Sequence, residues 1–345
     1  MDLRKDPITR SWVLIGDGDG DSDAGAAATS SCPYCLGSEA SLTQPILSVS
    51  TDNQPGGIRV YPHPNPLYRI EGEANRRAEG IYDRMRSLGA HEVIVESPDH
   101  EYALTAAPQA QIASLLRCWA MRISDLKNDL RFRYVTVFRN RGDLAGQQIR
   151  HPHSELTATT FIPRRIVYEL RSAQEYFEMK ERCVFCDIEQ QEEQQGLRVV
   201  DLTPRYLAVC PFASRVPFEV WILPRYHHSS FETDILRHAD QTELAGILQR
   251  TVARLEQLTK DYHLVLHTSP NTRARTELGS YWTTIDEDYH WHIEILPITE
   301  RRSKSYSIKE VYYSSLTPED AAAKLREIPG LVGARRQTML QFQPR

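Results

Sequence analysis

Two segments of the 345-residue chain contain the same four candidate metal ligands in the same order. Each set has a Cys-x-x-Cys pair, a histidine further along the chain, and the first histidine of a His-x-His-x-Glu run. The first set is Cys32, Cys35, His100 and His151, and the second is Cys183, Cys186, His227 and His290. In both copies a glutamate precedes the middle histidine by the same interval, Glu92 before His100 and Glu219 before His227. The repeated order indicates an internal duplication in which loop lengths have changed while the ligands have stayed.

Cysteine and histidine in this pattern are typical of a closed zinc site. A gap of two residues lets both thiolates of a tight turn face one ion, and two imidazoles complete a tetrahedral set. We therefore predict one bound Zn²⁺ ion in each set. Reduced or disulfide-bonded turns beside unrelated histidines would explain one such motif, but they explain two in matching order less well. In the second set, His228 and His292 are neighbours that could compete for the ion.

The run His151-Pro-His153 places a second imidazole beside a predicted ligand. Alternate side chains of a strand share a face, so His151 and His153 point the same way. Pro152 has no backbone N–H to donate, which is typical of a strand end or edge beside a cleft. With His151 held by zinc, His153 would be positioned but free, and a neutral imidazole there is a competent nucleophile toward phosphorus. The alternative is that His153 is a structural histidine with no catalytic role.

The elements that must position these residues follow the same order in both halves of the chain. Each half has short β-rich runs and one helix with apolar residues at helical spacing, over residues 107–130 and 237–260. Strands are predicted at 11–15, 59–62, 92–96, 134–138, 207–210, 218–223, 263–267 and 290–296, a further helix at 317–328, and a loop at 16–30. We therefore expect an α+β fold with antiparallel sheets and a long helix per half, divided into residues 1–165 and 175–345.

The composition argues against several other classes of protein. Charged residues make up 25% and hydrophobic residues 41%, as in a soluble globular protein, and the net charge of -5 provides no overall basic field for nucleic acid. No apolar run is long enough to predict a membrane span, and the first residues lack the apolar core of a signal peptide. Four of the six cysteines lie in the Cys-x-x-Cys pairs, which favours metal over a disulfide scaffold and predicts a reducing cytoplasm.

A family resemblance extends over nearly the whole chain. It is carried by residues 3–15 and 211–224 and by Cys32-Pro-Tyr-Cys35, Arg59-Val-Tyr-Pro62, Glu96-Ser-Pro-Asp-His100, Phe138-Arg-Asn-Arg-Gly142, His151-Pro-His-Ser154 and His290-Trp-His292. In these segments the chain resembles the galactose-1-phosphate uridylyltransferase family of the histidine-triad superfamily. It is most similar to the ADP-glucose phosphorylase-like members of that family.

The resemblance implies a duplicated histidine-triad-like fold, a homodimer, and zinc in both sets of ligands. It implies a nucleotidyltransferase whose partners are a nucleotide sugar and a sugar 1-phosphate, reacting in a ping-pong sequence that nucleotidylates His153. It also assigns phosphate binding to the loop before His151, with the candidate residues Asn140, Gly142, Gly146 and Gln148.

The chain departs from the pattern of that family at two residues and in one segment. Glu155, the second predicted catalytic residue, replaces a glutamine that donates a hydrogen bond to the phosphate of the intermediate, whereas an ionised carboxylate would repel that anion. Gln148 replaces a serine, and residues 16–23 are acidic where the family has an arginine-bearing segment. These changes leave two further hypotheses open. One is a non-catalytic relative that binds a nucleotide, and the other is a histidine-triad hydrolase or phosphorylase acting on another nucleotide conjugate.

Overall fold

The computed structural model describes residues 1–16, 32–38, 42–51, 54–273, 282–299 and 311–330. Within them the strands are β1 (Asp2–Lys5), β2 (Trp12–Ile15), β3 (Leu47–Thr51), β4 (Gln54–Pro62), β5 (Arg77–Glu79), β6 (Tyr82–Arg86), β7 (Gly89–Val95), β8 (Tyr134–Arg141), β9 (His153–Thr159), β10 (Val199–Leu202), β11 (Tyr206–Val209), β12 (Val220–Pro224), β13 (Tyr262–His267) and β14 (His292–Pro297). The α-helices are α1 (Gln109–Leu126), α2 (Arg164–Lys180), α3 (Val184–Gln195), α4 (Phe231–Arg237), α5 (Thr242–Leu255), α6 (Ile285–Asp288) and α7 (Pro318–Glu327).

Ten strands form one sheet that joins the two halves of the chain. Its order is β10-β11-β12-β14-β13-β8-β9-β7-β4-β3, and the halves meet where β13 pairs with β8 in antiparallel register. Outward from that junction, each half places the strand of its His-x-His-x-Glu run second. The duplicated α+β fold with antiparallel pairing is therefore confirmed. The boundaries at residues 165 and 175 stay a prediction, and α2 lies across the interval between them.

The two faces of the large sheet have different roles. One face packs on α1 and α5, and side chains such as Ile94 and Leu156 join the main hydrophobic core there. Neighbouring residues of the same strands point the other way. Val93 and Val95 lie in a small cluster with Cys32 on the opposite face. Because side chains alternate along a strand, every residue of β9 with the parity of His153 also lies on that opposite face.

A separate four-stranded sheet has the order β2-β1-β6-β5. Leu3 of β1 pairs with Met85 of β6, and both side chains are buried. In the part of the chain that the structure describes, no helix combines the length and apolar character needed to cross a bilayer.

All the predicted strands correspond to strands in the structure, with ends shifted by a few residues. The predicted helix over 107–130 is α1. The second begins later than expected, at Thr242, and residues 231–237 form a separate helix, α4, whose N-cap Ser230 accepts a hydrogen bond from the Thr233 N–H. Neither α2 nor α3 was predicted from the sequence, although Ile166, Leu170 and Ala173 give α2 an apolar stripe at helical spacing. The predicted loop over 16–30 lies, except for Gly16, outside the described residues.

Candidate functional site

The first predicted set of ligands comes together at one end of β9. The Sγ atoms of Cys32 and Cys35 lie 3.6 and 3.7 Å from Nδ1 of His151, and Cys35 Sγ lies 3.5 Å from Nδ1 of His100. These are separations expected of sulfur and nitrogen ligands that share one tetrahedral ion. The four side chains therefore fit a metal that prefers thiolate and imidazole ligands.

Hydrogen bonding prepares His151 for that role. Its Nε2–H donates to the carbonyl oxygen of Ser97 at 2.7 Å, which leaves Nδ1 unprotonated and facing the two cysteines. Burial raises the pKa of the Cys35 thiol to about 11. A divalent cation would favour the thiolate that this environment otherwise disfavours.

The second predicted set is also assembled. Cys186 Sγ lies 3.5 Å from Nδ1 of His227 and 3.4 Å from Nε2 of His290, and Cys183 completes the group. His227 Nε2–H donates to the carbonyl oxygen of Asp286, so its Nδ1 is free to bind a cation. His228 does not belong to this group of ligands, and its Nδ1 accepts a hydrogen bond from the backbone N–H of Ser230.

His153 begins β9, so Pro152 lies just before the strand, as its missing N–H predicted. The Nδ1–H of His153 donates to the carbonyl oxygen of His151 at 2.7 Å, which leaves Nε2 as the atom with a free lone pair. Next to it, Ser154 points to the helix face and accepts a hydrogen bond from Nε1 of Trp119 at 2.9 Å. This anchor fixes the start of β9 and therefore the direction of the His153 ring.

Glu155 lies on the same face of β9 as His153. Its Oε1 is 3.5 Å from Nε2 of His153, and its Oε2 accepts a hydrogen bond from Nε2 of His91 at 2.8 Å. Burial opposes ionisation, but the neighbouring imidazoles of His153 and His91 outweigh it and lower the pKa of Glu155 to about 2. The carboxylate is therefore an anion beside the candidate nucleophile across the physiological pH range.

A third histidine, His63, extends this group. His63 follows β4, and its backbone N–H donates to the carbonyl oxygen of His91 on β7. The two imidazole rings stack in parallel, with centroids 4.0 Å apart and planes 2° apart. Neither histidine was among the residues singled out from the sequence. Strands were predicted next to them, at 59–62 and 92–96, but nothing in the sequence showed that β4 and β7 are neighbours.

The predicted phosphate-binding loop leads from β8 to His151. Asn140 lies two residues from Phe138, which pairs with Glu155, and its Oδ1 is 2.9 Å from Nδ1 of His263 on β13. Gly142 has φ of 88°, and a Cβ at this position would lie 2.2 Å from Oδ1 of Asp261, so the position requires glycine.

The other two predicted loop residues lie further out. Gly146 is exposed, with φ of 73° and no atom within 4 Å of its Cβ position, and Gln148 is also exposed. It is the neighbouring Gln147 that braces the loop, because its Oε1 accepts from the Gly142 N–H. Substrate binding by all four residues stays a prediction.

The second His-x-His-x-Glu run forms a further group that the sequence analysis did not find. Glu169, His267, His292 and Glu294 have ligand atoms close enough together to hold an ion. However, Glu294 Oε2 already pairs with Arg215 at 2.7 Å and its Oε1 with Arg165 at 3.2 Å. The carboxylate therefore has cationic partners within the protein. Glu169 comes from the unpredicted α2, so no motif indicated this group.

The duplicated sheet and the His-x-His run beside a Cys2His2 cluster define a histidine-triad-like α+β protein. Comparison with known families agrees with this class. "Galactose-1-phosphate uridyl transferase, N-terminal domain" matches residues 68–163, and "Galactose-1-phosphate uridyl transferase, C-terminal domain" matches residues 169–333. The chain belongs to the galactose-1-phosphate uridyl transferase family.

Full-length relatives include proteins with two different names. The chain is 26% identical over 340 residues to ADP-glucose phosphorylase of Arabidopsis thaliana, covering 95% of this chain and 93% of that protein. It is 27% identical over 336 residues to galactose-1-phosphate uridylyltransferase of Thermotoga maritima, covering 95% and 98%. A solved structure of an ADP-glucose phosphorylase from Arabidopsis thaliana with bound ADP-glucose matches with a TM-score of 0.73 and 27% identity, covering 95% of this chain and 99% of that one. These matches make an enzyme of the nucleotidyltransferase or phosphorylase type the expected class for this chain.

Proposed function

We propose that this protein is a nucleotidyltransferase that uses a nucleotide sugar as donor and a sugar 1-phosphate or inorganic phosphate as acceptor, with His153 as the nucleophile. The observation that carries the proposal is the hydrogen bond from Nδ1–H of His153 to the carbonyl oxygen of His151. It leaves Nε2 unprotonated and facing Oε1 of Glu155 at 3.5 Å, and the neighbouring Cys2His2 cluster holds His151 in place.

The reaction would proceed in two displacements. Nε2 of His153 attacks the α-phosphorus of the nucleotide sugar, a P–N bond forms, and the P–O bond to the departing sugar 1-phosphate breaks. An oxygen of the acceptor phosphate then attacks the same phosphorus, and the P–N bond breaks to restore the imidazole. The two relatives named above differ in acceptor as their names state, and for this chain the acceptor is part of the proposal.

Zinc is the metal that we propose for both Cys2His2 clusters, since two thiolates and two imidazoles form a closed site with no open position. When bound in the first cluster, the ion would supply a rigid frame for the turn of Cys32 and Cys35 and for His151. The reaction itself is carried out by residues of the chain. His153 forms the bond to phosphorus, Glu155 contacts the nucleophile, and the 140–148 loop approaches the phosphates. A homodimer is part of the same proposal.

A non-catalytic nucleotide-binding protein is the second candidate function, and Glu155 favours it. An anionic carboxylate 3.5 Å from Nε2 of His153 opposes the approach of a phosphate, which a glutamine would not do.

Isotope exchange tests the proposal without knowledge of the acceptor. Purified protein is incubated with UDP-glucose or ADP-glucose and ³²P-labelled glucose 1-phosphate, and then with ³²P-labelled inorganic phosphate. We expect label in a nucleotide product with one of these pairs, loss of the exchange in His153→Asn, and normal exchange in His238→Asn, a control at a partly exposed histidine. Tight binding of these nucleotide sugars without exchange would support the second candidate function instead.

A further inference from the structure

Glu155 is surrounded by imidazoles. Its Oε2 lies 2.8 Å from Nε2 of His91 and 3.9 Å from Nε2 of His63, and its Oε1 lies 3.5 Å from Nε2 of His153. The three histidine side chains are 2 to 5% exposed, whereas the Glu155 side chain is 15% exposed. The carboxylate is therefore the member of this group that has room to turn toward solvent.

The proton positions of His63 and His91 follow from their other ring nitrogens. The backbone N–H of Asn65 donates to Nδ1 of His63 at 3.1 Å, and the backbone N–H of Leu67 donates to Nδ1 of His91 at 3.1 Å. A ring nitrogen that accepts a hydrogen bond carries no proton, so the proton of each neutral ring is on Nε2. Burial, followed by the effect of His91, lowers the pKa of His63 to about 4, which keeps that ring neutral. The Nε2–H of His91 therefore donates to the carboxylate at 2.8 Å, and the Nε2–H of His63 lies 3.9 Å from the same oxygen.

Two imidazoles and a carboxylate are also a common ligand set for a divalent metal. A metal would need the unprotonated nitrogen of each ring, and here that nitrogen faces a backbone N–H. Parallel rings with centroids 4.0 Å apart also present their nitrogens side by side instead of converging on one point. The geometry is that of donors holding an anion.

We propose that Nε2–H of His63 and Nε2–H of His91 form a binding subsite for a phosphate oxygen, that the carboxylate of Glu155 occupies it in the ligand-free protein, and that the substrate's phosphate displaces this carboxylate. The inference deepens the proposed function, because it states which groups bind the nucleotide's phosphate beside His153. A carboxylate and a phosphate both offer oxygen acceptors to the same donors. The two anions cannot share the subsite, because like charges at this separation repel in a partly buried site. Glu155 therefore acts as an internal competitor of the substrate.

Binding measurements on the full-length protein test this inference. Isothermal titration calorimetry gives the affinity of the wild-type protein and of Glu155→Gln for ADP-glucose and for UDP-glucose. Removing the competing charge should tighten the binding of at least one of these nucleotide sugars by on the order of tenfold or more. Glu175→Gln, at an exposed glutamate of α2, is the matched control and should bind like the wild-type protein.

A double-mutant cycle separates this role from a purely structural one. In His91→Phe the ring is kept but the N–H is lost, so the gain from Glu155→Gln should shrink to less than about threefold in this background. His63→Phe provides the same measurement if His91→Phe does not fold. Unchanged or weaker binding in Glu155→Gln, or a gain that persists fully in both histidine variants, would overturn the inference.

Two further controls distinguish the remaining outcomes. If added Mn²⁺ or Mg²⁺ tightens nucleotide binding to the wild-type protein and Glu155→Gln loses that effect, the cluster is a metal site and the inference is wrong. The nucleotidyl group that the proposed function places on His153 is measured separately, as a covalent label on the protein. An absent label with tighter binding by Glu155→Gln would contradict the proposed function and leave the subsite standing, and the reverse result would do the opposite.

Discussion

The two His-x-His-x-Glu runs have the same pattern and the same place in the sheet, but their surroundings differ. In the first half, Glu155 is 15% exposed and contacts only imidazoles among its ionisable neighbours in the described chain. In the second half, Glu294 is 2% exposed and pairs with Arg215 and Arg165. The same residue type is therefore an accessible anion in one copy and a buried member of a salt-bridge network in the other.

The difference shows how a duplicated fold divides its tasks. Both copies keep a Cys2His2 cluster that frames the end of the sheet. In the second copy, Arg215 and Arg165 already neutralise the carboxylate of Glu294. We therefore expect this carboxylate to contribute to the stability of the fold and not to bind a substrate. In the first copy, the carboxylate of Glu155 is 15% exposed and lies 3.5 Å from Nε2 of His153. The chemistry is therefore expected in the first half, and the second half supports it.

Removing one cysteine from each cluster should have the largest effect and should show how the two halves differ. Metal binding in closed Cys/His sites contributes on the order of 10 kcal/mol in isolated zinc fingers, so each loss should be large. We expect Cys32→Ser and Cys183→Ser each to lose one of two zinc ions by elemental analysis. Cys32→Ser should abolish exchange, whereas Cys183→Ser should lower the melting temperature and keep some exchange in the folded fraction. Full zinc content in both variants would refute the assignment of the ligands.

Arg215→Met should reveal the structural role of the second copy. Arg215 pairs with both Glu219 and Glu294, and its removal leaves buried carboxylates without their main cation. We expect a loss of about 3 to 5 kcal/mol in the free energy of unfolding by urea titration. Arg165→Met is the matched comparison, because Arg165 is 44% exposed and its removal should cost about 1 kcal/mol or less. Equal losses in the two variants would contradict the assignment of Arg215 as the main cation of these buried carboxylates.

The dependence of stability on pH tests the lowered pKa of these two glutamates. Burial opposes ionisation of Glu294, but His267 and Arg215 lower its pKa to about 2, the same value as for Glu155. A carboxyl whose pKa is lower in the folded state contributes stability that is present above about pH 4.5 and is lost as the pH falls toward 2. Thermal unfolding from pH 6 to pH 2.5 should show a shallower decline in Glu294→Gln than in the wild-type protein, by at most about 3 kcal/mol.

At neutral pH the two glutamine variants should separate. Glu294→Gln loses two arginine pairs and should be the more destabilised, whereas Glu155→Gln loses the charge that pairs with the His91 N–H and should lose less. An acid profile of Glu294→Gln that matched the wild-type profile would show that this carboxyl titrates normally.

The smallest effect should come from two tryptophans. Nε1 of Trp119 donates to Ser154 beside the nucleophile, and Nε1 of Trp221 donates to Glu219 in the second half. Replacing either with phenylalanine should cost about 1 to 2 kcal/mol in unfolding free energy. Trp119→Phe should also slow isotope exchange, because the start of β9 loses an anchor, while Trp221→Phe should leave the exchange rate intact. If both variants slowed exchange equally, the halves would not be functionally distinct.

Much of this site follows from the sequence, because motif spacing is local information. The two Cys2His2 sets, the strand end or edge at Pro152 and the common direction of His151 and His153 were predicted from residue types and alternation. What the sequence could not show was which distant strands lie side by side. His63 and His91 meet because β4 pairs with β7, and Glu169 joins its group through the unpredicted α2. Arg215 likewise reaches Glu294 only through tertiary packing.

Intact-protein mass spectrometry after brief exposure to UDP-glucose and to ADP-glucose tests the central claim most directly. We expect a mass increase of one nucleotidyl group with one of these donors, located on His153 by peptide mapping. The increase should be absent in His153→Asn and present in folded His292→Asn, the equivalent change in the second copy. An adduct that persists in His153→Asn, or no adduct with either donor, would contradict the assignment of His153 as the nucleophile.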